Sequence, residues 1–435
     1  MTHEVPTASA ADTARAVSTV LLPVAARGAI VRRPRVVGAA QRVDADARAV
    51  REMRRLRDRY GPGPLQVRLP GRRLTLLLEP DQVRRVLAGT PEPFRPDTRE
   101  KRGALAHFQP DGVLVSTPAE RSLRRPFNEA VLDAGRPLHR LVGPITDLVR
   151  AEAGLLDDEI TRSGVLTWDD YVTTWMRVVR RVVLGDRARD DERTTDLLLG
   201  LRRDANWSFA RPRRTERRRR FLARLQGHLD RAEPGSLAEV VAATPAAPGT
   251  DPVQQVPQWL FAFDAATWAG LRALALLASH PGAVDRARAD LPRLPDLPFL
   301  RACVLESLRL WPTTPAILRD TGEETRWEGG SLPAGASVLV FAPFFHRDET
   351  RLPEAHRFAP ELWLRRRTER DWPLVPFSGG PGTCPGRNLV LLTTSLLLAC
   401  LVEHRLSRVE GAALDPDDRL PGTLSPFGLR FVPAR

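Results

Sequence analysis

The residues around one cysteine have the types and spacing needed to present a thiolate to a metal ion. Residues 376–392 read PFSGGPGTCPGRNLVLL, so that four glycines and three prolines surround Cys384 before an apolar run begins. A thiolate near the start of a helix is stabilised by the helix dipole and by backbone N–H groups, which lower its pKa. Glycines let the backbone approach a flat, bulky ligand. The loop therefore favours an iron-binding thiolate; the alternative is a turn that only caps the helix that follows.

Two further motifs precede this loop. The sequence LESLRL places Glu306 and Arg309 three residues apart, on one face of a predicted helix, where the two side chains can pair. The helix is apolar, and a buried pair of charges must be well satisfied by hydrogen bonds. Downstream, HRDETRLPEAHRF contains Pro353-Glu354 and then Arg357-Phe358. The chain therefore contains three motifs in the order Glu-x-x-Arg, Pro-Glu-x-x-Arg-Phe and Phe-x-x-Gly-x-x-x-Cys-x-Gly. Three ordered motifs are a much more specific signal than a single Cys-Pro-Gly.

This order of motifs resembles the cytochrome P450 family. The resemblance covers nearly the whole chain, including a hairpin near residues 65–78, ERSLRR at 120–125 and LRLWPTTPAILRDT at 308–321. It implies a mainly α fold with small β-sheets, in a single large domain over residues 13–435. Residues 1–12 are expected to form a disordered N-terminus. The implied activity is that of an oxidoreductase, most often a monooxygenase.

The resemblance also assigns roles to residues. Cys384 matches the axial ligand of the iron in haem b (iron protoporphyrin IX), and Phe377 would pack on the thiolate side of the ring. The remaining assignments are the loop glycines Gly380 and Gly386, a structural triad of buried charges formed by Glu306, Arg309 and Arg357, and two propionate-binding arginines, Arg124 and Arg319. A guanidinium suits a carboxylate because it can donate two parallel hydrogen bonds.

Two positions near the expected propionates depart from the family. The family usually carries Arg or His two residues before the cysteine, and this chain has Gly382. The helix that contains Arg124 commonly begins with His, and Glu120 stands there. An acid at that position would repel a propionate. Haem binding must therefore depend more on Arg124, Arg319 and packing.

A third departure concerns the long helix over the haem. The family pattern is small-Gly-x-acid-Thr, whereas this chain reads FAFDA over residues 261–265. Asp264 keeps the acid, but Ala265 replaces the residue whose hydroxyl helps to deliver protons during oxygen activation. A methyl group cannot donate or accept a hydrogen bond. Thr267 is a poor substitute because two residues along a helix turn it about 200° away.

Several functions are compatible with Ala265. A substrate hydroxyl or an ordered water replaces the missing group in a monooxygenase that oxidises a hydrophobic or aromatic small molecule of bacterial secondary metabolism. Peroxide-driven chemistry, or chemistry without oxygen insertion such as cyclisation, coupling or rearrangement, is the alternative. Ala265 could also only lower coupling efficiency. A non-catalytic haem- or partner-binding protein is a further alternative from a different class.

The expected substrate pocket is apolar, which favours a hydrophobic ligand. By resemblance it is formed by the segment before ERSLRR, by the long helix and by the loop after LRLW. The candidate residues are Phe108, Val113, Phe261, Phe263, Thr314, Ala316 and Ile317.

Composition and charge limit the classes of partner that the protein is expected to bind. The 435 residues carry a formal net charge of +13, which favours an acidic partner. The basic run at 211–220 lacks an accompanying nucleic-acid-binding motif, so nucleic acid is not expected. The apolar run at 16–26 is too short to cross a bilayer. The sequence thus predicts a cytoplasmic monomer, without membrane attachment, that receives electrons from a ferredoxin and a ferredoxin reductase.

The elements that must hold these residues can be predicted from sequence periodicity. Apolar residues recur every three or four positions through much of residues 117–280, which predicts helices. The short runs LQVRLP and RLTLLL flank Gly71-Arg72 and predict a β-hairpin. Residues 326–344 alternate around turn residues, which predicts small sheets, and a final long helix is expected just after Cys384.

Overall fold

The computed structural model of the chain describes residues 4–368, 371–403 and 406–433. Helices dominate, and the strands are short. The α-helices are α1 (Ala10–Ala16), α2 (Leu22–Ala26), α3 (Pro34–Arg42), α4 (Ala45–Tyr60), α5 (Pro80–Ala88), α6 (Arg99–Leu105), α7 (Pro118–Val131), α8 (Val142–Ser163), α9 (Trp168–Leu184), α10 (Glu192–Ala205), α11 (Thr215–Arg231), α12 (Leu237–Ala243), α13 (Val256–Ser279), α14 (Pro281–Asp290), α15 (Pro298–Leu310), α16 (Ala342–His346), α17 (Glu361–Leu364) and α18 (Arg387–Glu403).

The strands form one mixed sheet and two small antiparallel pairs. The strands are β1 (Leu65–Leu69), β2 (Arg72–Leu76), β3 (Phe94–Arg95), β4 (Ala316–Thr321), β5 (Thr325–Trp327), β6 (Gly330–Leu332), β7 (Ser337–Phe341), β8 (Leu406–Glu410) and β9 (Arg430–Pro433). The five-stranded sheet has the order β1-β2-β7-β4-β3, and only β2 and β7 run parallel in it. The predicted hairpin is present as β1 and β2.

The core consists of two apolar clusters. In the larger one α13 packs against α9, α15 and α18, and α8 packs against α9 and α18. The smaller one lies between the five-stranded sheet, α4 and α5. The Cys384 loop contacts both regions, because α5 packs against the turn at Gly380–Gly382 while α18 leads into the helical core.

The long helix α13 is apolar because it is surrounded by protein. Within the described residues, the segment Pro252–Ser279 is the one helix long and apolar enough to cross a membrane by length and composition. Its most apolar stretch is 78% buried inside the fold, as expected of a core helix. The apolar character therefore reflects packing against α9, α15 and α18.

The prediction of a disordered N-terminus is wrong for residues 4–12. Thr7 pairs with Gln66 at the edge of the sheet, Val5 is buried, and α1 begins at Ala10. Asp12 is also buried, where it accepts hydrogen bonds from Tyr60 and Arg55. The physical reason is that β1 offers an unpaired edge, which residues before α1 cover.

Candidate functional site

The loop around Cys384 has the compact shape that its glycines predict. The backbone N–H of Cys384 donates to the carbonyl of Phe377 at 3.0 Å, and α18 begins three residues later at Arg387. Gly380 has a φ of +59°, and a Cβ there would lie 2.3 Å from the carbonyl oxygen of Leu87. Only glycine fits this position, because both the backbone conformation and the close approach exclude a side chain.

The structure corrects the expected acidity of the free thiol. Burial raises the pKa of Cys384, while hydrogen bonding from the Gly386 N–H and the positive charges of Arg125 and Arg387 oppose that rise. The backbone N–H is a group that the loop predicted, the two arginines are not, and desolvation is the larger effect. A coordinated metal ion reverses this balance because it deprotonates a ligating thiol.

Arg319 lies against the cysteine loop, as predicted. Its side chain is 4% exposed and donates to the Thr90 hydroxyl at 3.0 Å and to the Leu318 carbonyl at 2.9 Å. A Cβ on Gly382 would lie 2.9 Å from Nη2 of Arg319. The glycine that departs from the family pattern therefore leaves room for the Arg319 guanidinium, which occupies the place of a larger side chain.

Sequence reasoning missed a second arginine beside the loop. Arg121 is 6% exposed and donates to the carbonyls of Val113 and Pro381. It also lowers the pKa of Arg319, although burial is the larger cause; that pKa falls to about 10. The sequence contained the spacing needed to identify Arg121, because it precedes Arg124 by three residues and so shares its helix face.

Arg124 is placed differently from Arg319. It donates to the Ser116 hydroxyl at 3.0 Å, and its guanidinium lies 3.5 Å from Glu120 and 3.9 Å from Asp111. Glu120 itself caps α7, because its carboxylate accepts from the Thr117 N–H at 2.8 Å. The acid that replaces the usual His thus has a capping role, and it partly neutralises Arg124.

These side chains fit a haem with its propionates. Arg319 and Arg121 lie within 4 Å of no carboxylate among the described residues, so two buried guanidiniums rely on neutral partners. Buried charges need counter-charges, and two propionates would supply them. Cys384 would supply the axial sulfur. Phe377 is half-buried against the helical core, and Gly386 is buried where the loop turns into α18.

The predicted Glu306–Arg309 pair is present and fully buried. Arg309 donates to Glu306 through Nε at 2.8 Å and through Nη2 at 2.6 Å. Its remaining hydrogen bonds reach the backbone carbonyls of His346, Glu354, Ala355 and Arg357. The pair therefore fixes the segment that leads toward the cysteine loop, which agrees with a structural role.

The prediction that Arg357 completes a buried triad is wrong. The Arg357 side chain is exposed, and only its backbone carbonyl contacts Arg309, at 2.9 Å. Glu306 instead accepts from the Ala359 N–H and from Nε1 of Trp363, each at 2.9 Å. A neutral indole thus takes the place expected for a second guanidinium. Sequence spacing could not distinguish a side-chain contact from a backbone contact at Arg357.

The acid of the long helix is paired across the fold. Oδ2 of Asp264 accepts from Nη2 of Arg202 on α10 at 2.5 Å, and Arg202 also donates to the Ile30 carbonyl at 3.1 Å. The guanidinium lies over the Phe261 ring, 4.9 Å from its centroid. Asp264 is 40% exposed and Arg202 is 6% exposed, so the carboxylate is accessible while its partner is buried.

The position after Asp264 has no hydroxyl group nearby on the same face. Ala265 is half-buried together with Phe261, Ala262 and Asp264. Thr267 is 3% exposed, and its hydroxyl faces the backbone carbonyl of Phe263 at 3.4 Å. Thr267 is therefore turned into the helix, as its spacing predicts.

The predicted substrate residues divide into two groups. Phe108 and Phe261 contact each other edge to face at 5.5 Å, and Val113 lies buried in the same region, just before α7. By contrast, Phe263 packs on Trp175 of α9 at 6.1 Å, in the helical core. Phe263 is directed toward α9, so that its assignment to the substrate pocket stays a prediction that this packing does not favour.

The predicted substrate residues after α15 also differ from one another in exposure. Ile317 is buried in the sheet cluster and Ala316 packs on that cluster, whereas Thr314 is exposed. Alternation along β4 places Ile317 and Arg319 on one face and Ala316 and Leu318 on the other. Ile317 thus belongs to the sheet core.

Comparisons with known proteins agree with this arrangement. The family model described as Cytochrome P450 matches residues 270–423. A cyclooctat-9-en-7-ol 5-monooxygenase of Streptomyces melanosporofaciens is 33% identical over 153 residues, which cover 32% of this chain and 33% of that protein. A geraniol 8-hydroxylase of Catharanthus roseus is 34% identical over 147 residues, 32% of this chain and 30% of that protein. The chain thus matches about a third of the length of these curated relatives.

Structural similarity to a known protein extends beyond residues 270–423. The crystal structure of a cytochrome P450 (CYP102L1) superposes with a TM-score of 0.69 at 18% identity, covering 89% of this chain and 94% of that one. Haem is the cofactor of this family. The matched residues 270–423 contain Glu306, Arg309, Arg319 and Cys384. Residues 270–423 therefore match the cytochrome P450 family model, and the chain as a whole has the fold of a cytochrome P450.

Proposed function

We propose that the protein is a haem-thiolate monooxygenase that oxidises a hydrophobic or aromatic small molecule in bacterial secondary metabolism. The observation that carries this proposal is the placement of Cys384 in a glycine loop beside two buried guanidiniums that lack carboxylate partners within the described residues, Arg319 and Arg121. Haem bound there supplies the activation of oxygen. The relatives named as a monooxygenase and a hydroxylase support the reaction type.

The chain's own residues have separable tasks in this proposal. Cys384 ligates the iron, and Arg319 and Arg121 bind the propionates. Phe261, which is partly exposed, offers an apolar contact surface for substrate, and the buried Phe108 supports it edge to face. Asp264 is a carboxylate at the surface of the long helix that can accept or release a proton, while Arg202 holds it in one orientation.

The proposal includes an external electron source. The formal net charge of +13 favours an acidic donor, which we assign to a ferredoxin with its reductase. The protein is proposed to work as a cytoplasmic monomer. Association with the donor should weaken as salt is raised, because screening shortens the range of charge attraction.

The absorption spectrum of the reduced protein with carbon monoxide tests the thiolate. We expect a red-shifted band in the wild type and its loss in Cys384→Ser. Cys400→Ser is the matched control, because Cys400 is a buried thiol within α18 and should leave the band unchanged. A wild type that binds haem without that band would contradict the proposal.

A second candidate function is peroxide-driven or non-oxygen-inserting haem-thiolate chemistry. The observation in its favour is that Ala265 offers no hydroxyl and that the Thr267 hydroxyl is directed at the Phe263 carbonyl. Mass spectrometry of the product separates the two candidates, since a monooxygenase adds one oxygen atom. A product that differs by lost hydrogens, a new ring or an isomeric change supports the second candidate. If Ala265→Thr leaves turnover and coupling unchanged, the side chain at position 265 has little influence on either candidate reaction.

A further inference from the structure

A small cationic cavity lies two helical turns beyond Asp264 on α13. It is lined by the N-terminal segment, α13, the loop after α15 and the loop before β9, and its volume is about 30 Å³. A single water needs roughly 10–15 Å³ on this measure, so the space suits about two oxygen atoms. The residues that matter here are Arg27, Arg32, Asp46, Trp268, Arg272 and Thr313.

One of the three arginines is neutralised within the cavity wall. Arg27 donates to both oxygens of Asp46, at 2.6 and 2.7 Å. Asp46 also accepts from the Thr423 hydroxyl at 3.1 Å. Asp46 therefore pairs directly with Arg27, and its charge reaches Arg32 and Arg272 only at longer range.

The other two arginines have only neutral partners. Arg272 is 6% exposed and donates to the carbonyls of Trp311 and Leu424, while its Nε has no hydrogen-bond partner. Arg32 donates to the carbonyls of Gly28 and Thr313. Within the described part of the chain, neither lies within 4 Å of a carboxylate.

The electrostatics of these two groups agree with their geometry. Burial, followed by the charge of Arg32, lowers the pKa of Arg272 to about 9, while the charge of Asp46 opposes this shift. Burial, followed by the charge of Arg27, lowers the pKa of Arg32 to about 10. Both guanidiniums remain charged at neutral pH, and the more distant carboxylates of Asp46 and, for Arg32, of Asp264 offset the cost of burying these charges only in part. An anion in the cavity would relieve this penalty.

The cavity is separate from the haem propionate residues and close to the expected substrate region. Trp268 is one turn after Asp264, and Arg272 is about 12 Å along the helix axis from it. Thr313 immediately precedes the predicted substrate residue Thr314. The Arg319 and Arg121 guanidiniums instead contact residues next to the cysteine loop or within it.

We propose that this cavity binds a carboxylate carried by the substrate, held between Arg32 and Arg272, while the apolar remainder of the substrate extends along α13 toward Asp264 and Ala265. The two oxygens of a carboxylate match the available volume, whereas the four oxygens of a phosphate group exceed it. A guanidinium is suited to a carboxylate by its paired N–H groups. This inference rests on the proposed function, since it names the substrate class of the same pocket.

Isothermal titration calorimetry of the haem-loaded protein tests the proposal directly. The probes are hexanoate, decanoate and tetradecanoate, each compared with the alcohol of the same length. We expect at least one carboxylate to bind about tenfold more tightly than its alcohol, because hydrogen bonds to charged groups contribute more than neutral ones. Arg32→Gln should remove that preference and leave alcohol binding unchanged.

Arg180→Gln is the matched control. Arg180 is 3% exposed and donates to the Arg189 carbonyl and the Thr195 hydroxyl, away from the cavity. It should keep the carboxylate preference. Should Arg32→Gln fail to fold, the carboxylate-to-alcohol ratio of the wild type decides by itself.

Three results would overturn the inference: equal binding of carboxylate and alcohol, an unchanged preference in folded Arg32→Gln, or tighter binding of an alkyl phosphate than of the matching carboxylate. The carbon monoxide spectrum, recorded on the same samples, separates this failure from that of the proposed function. A normal band without carboxylate preference rejects only the anion site. An absent band rejects the haem-thiolate proposal, while the calorimetric comparison still reports on the cavity.

Discussion

Oδ2 of Asp264 and Nη2 of Arg202 lie 2.5 Å apart, and this contact ties the acid of α13 to the end of α10. Arg202 is anchored further by the Ile30 carbonyl, which belongs to the N-terminal segment. The orientation of the acid therefore depends on two elements distant in sequence. Because α10 and the N-terminal segment meet here, the pair joins α13 to the segment that also supplies Arg27 and Arg32 to the cationic cavity.

A double-mutant cycle measures this link. Arg202→Gln and Asp264→Asn should each lower the free energy of unfolding, with a coupling energy of about 1 kcal/mol, since Asp264 is partly screened by solvent. Urea denaturation of the purified haem protein provides the measurement. The exposed pair Arg219–Glu216 is the control and should show no measurable coupling. Additive single effects at Asp264 and Arg202 would contradict the contact.

The second prediction concerns Trp363 and Arg357. Trp363→Phe should lower the free energy of unfolding by about 1–3 kcal/mol, because it leaves a lone pair of the buried Glu306 carboxylate without its donor. Arg357→Ala, whose side chain is exposed, should change it by less than about 0.5 kcal/mol. Urea titrations of both variants measure the difference. The reverse ranking would restore Arg357 as the third member of the charge network.

Gly382 is predicted to be required for the position of Arg319. Gly382→Ala places a methyl group 2.9 Å from the Arg319 guanidinium and should cost about 1–3 kcal/mol through overpacking. We expect a lower haem content after purification, measured as the ratio of haem absorbance to protein absorbance. Gly143→Ala is the control, because a Cβ there meets nothing within 4 Å. Full haem content in Gly382→Ala would contradict the role of this glycine.

A buried histidine should make stability depend on pH. Burial, followed by the charge of Arg309, lowers the pKa of His346 from 6.5 to about 3, and its Nε2 accepts from the Val375 N–H at 3.0 Å. The folded protein keeps this ring neutral where the unfolded chain binds a proton. The stabilisation is therefore complete above pH 6.5 and is lost as pH falls toward about 3, by at most about 1.4 kcal/mol per pH unit.

Substitution isolates the contribution of this residue. His346→Gln, which can still accept from the Val375 N–H, should lose less unfolding free energy than the wild type between about pH 7 and about pH 5. The expected difference is about 1–2 kcal/mol, measured by urea denaturation at the two pH values. Equal losses in the two proteins would show that His346 does not titrate on unfolding.

The sequence predicted the elements of the site that depend on local pattern. The glycine loop, the start of α18 after Cys384 and the Glu306–Arg309 pair follow from residue types at short spacing, because a turn or one helical turn fixes which side chains meet. The orientation of Thr267 follows in the same way from helical geometry. These predictions involve residues less than ten positions apart.

The tertiary structure decided the contacts between distant segments. Arg202 with Asp264, Trp363 with Glu306, Arg121 beside Arg319, and the meeting of Arg32 with Arg272 join residues that sequence periodicity cannot relate. It also decided how the aromatic residues of α13 pack, since Phe263 packs on α9 while Phe261 contacts Phe108. Periodicity gives the faces of a helix, but only packing determines which neighbour covers each face.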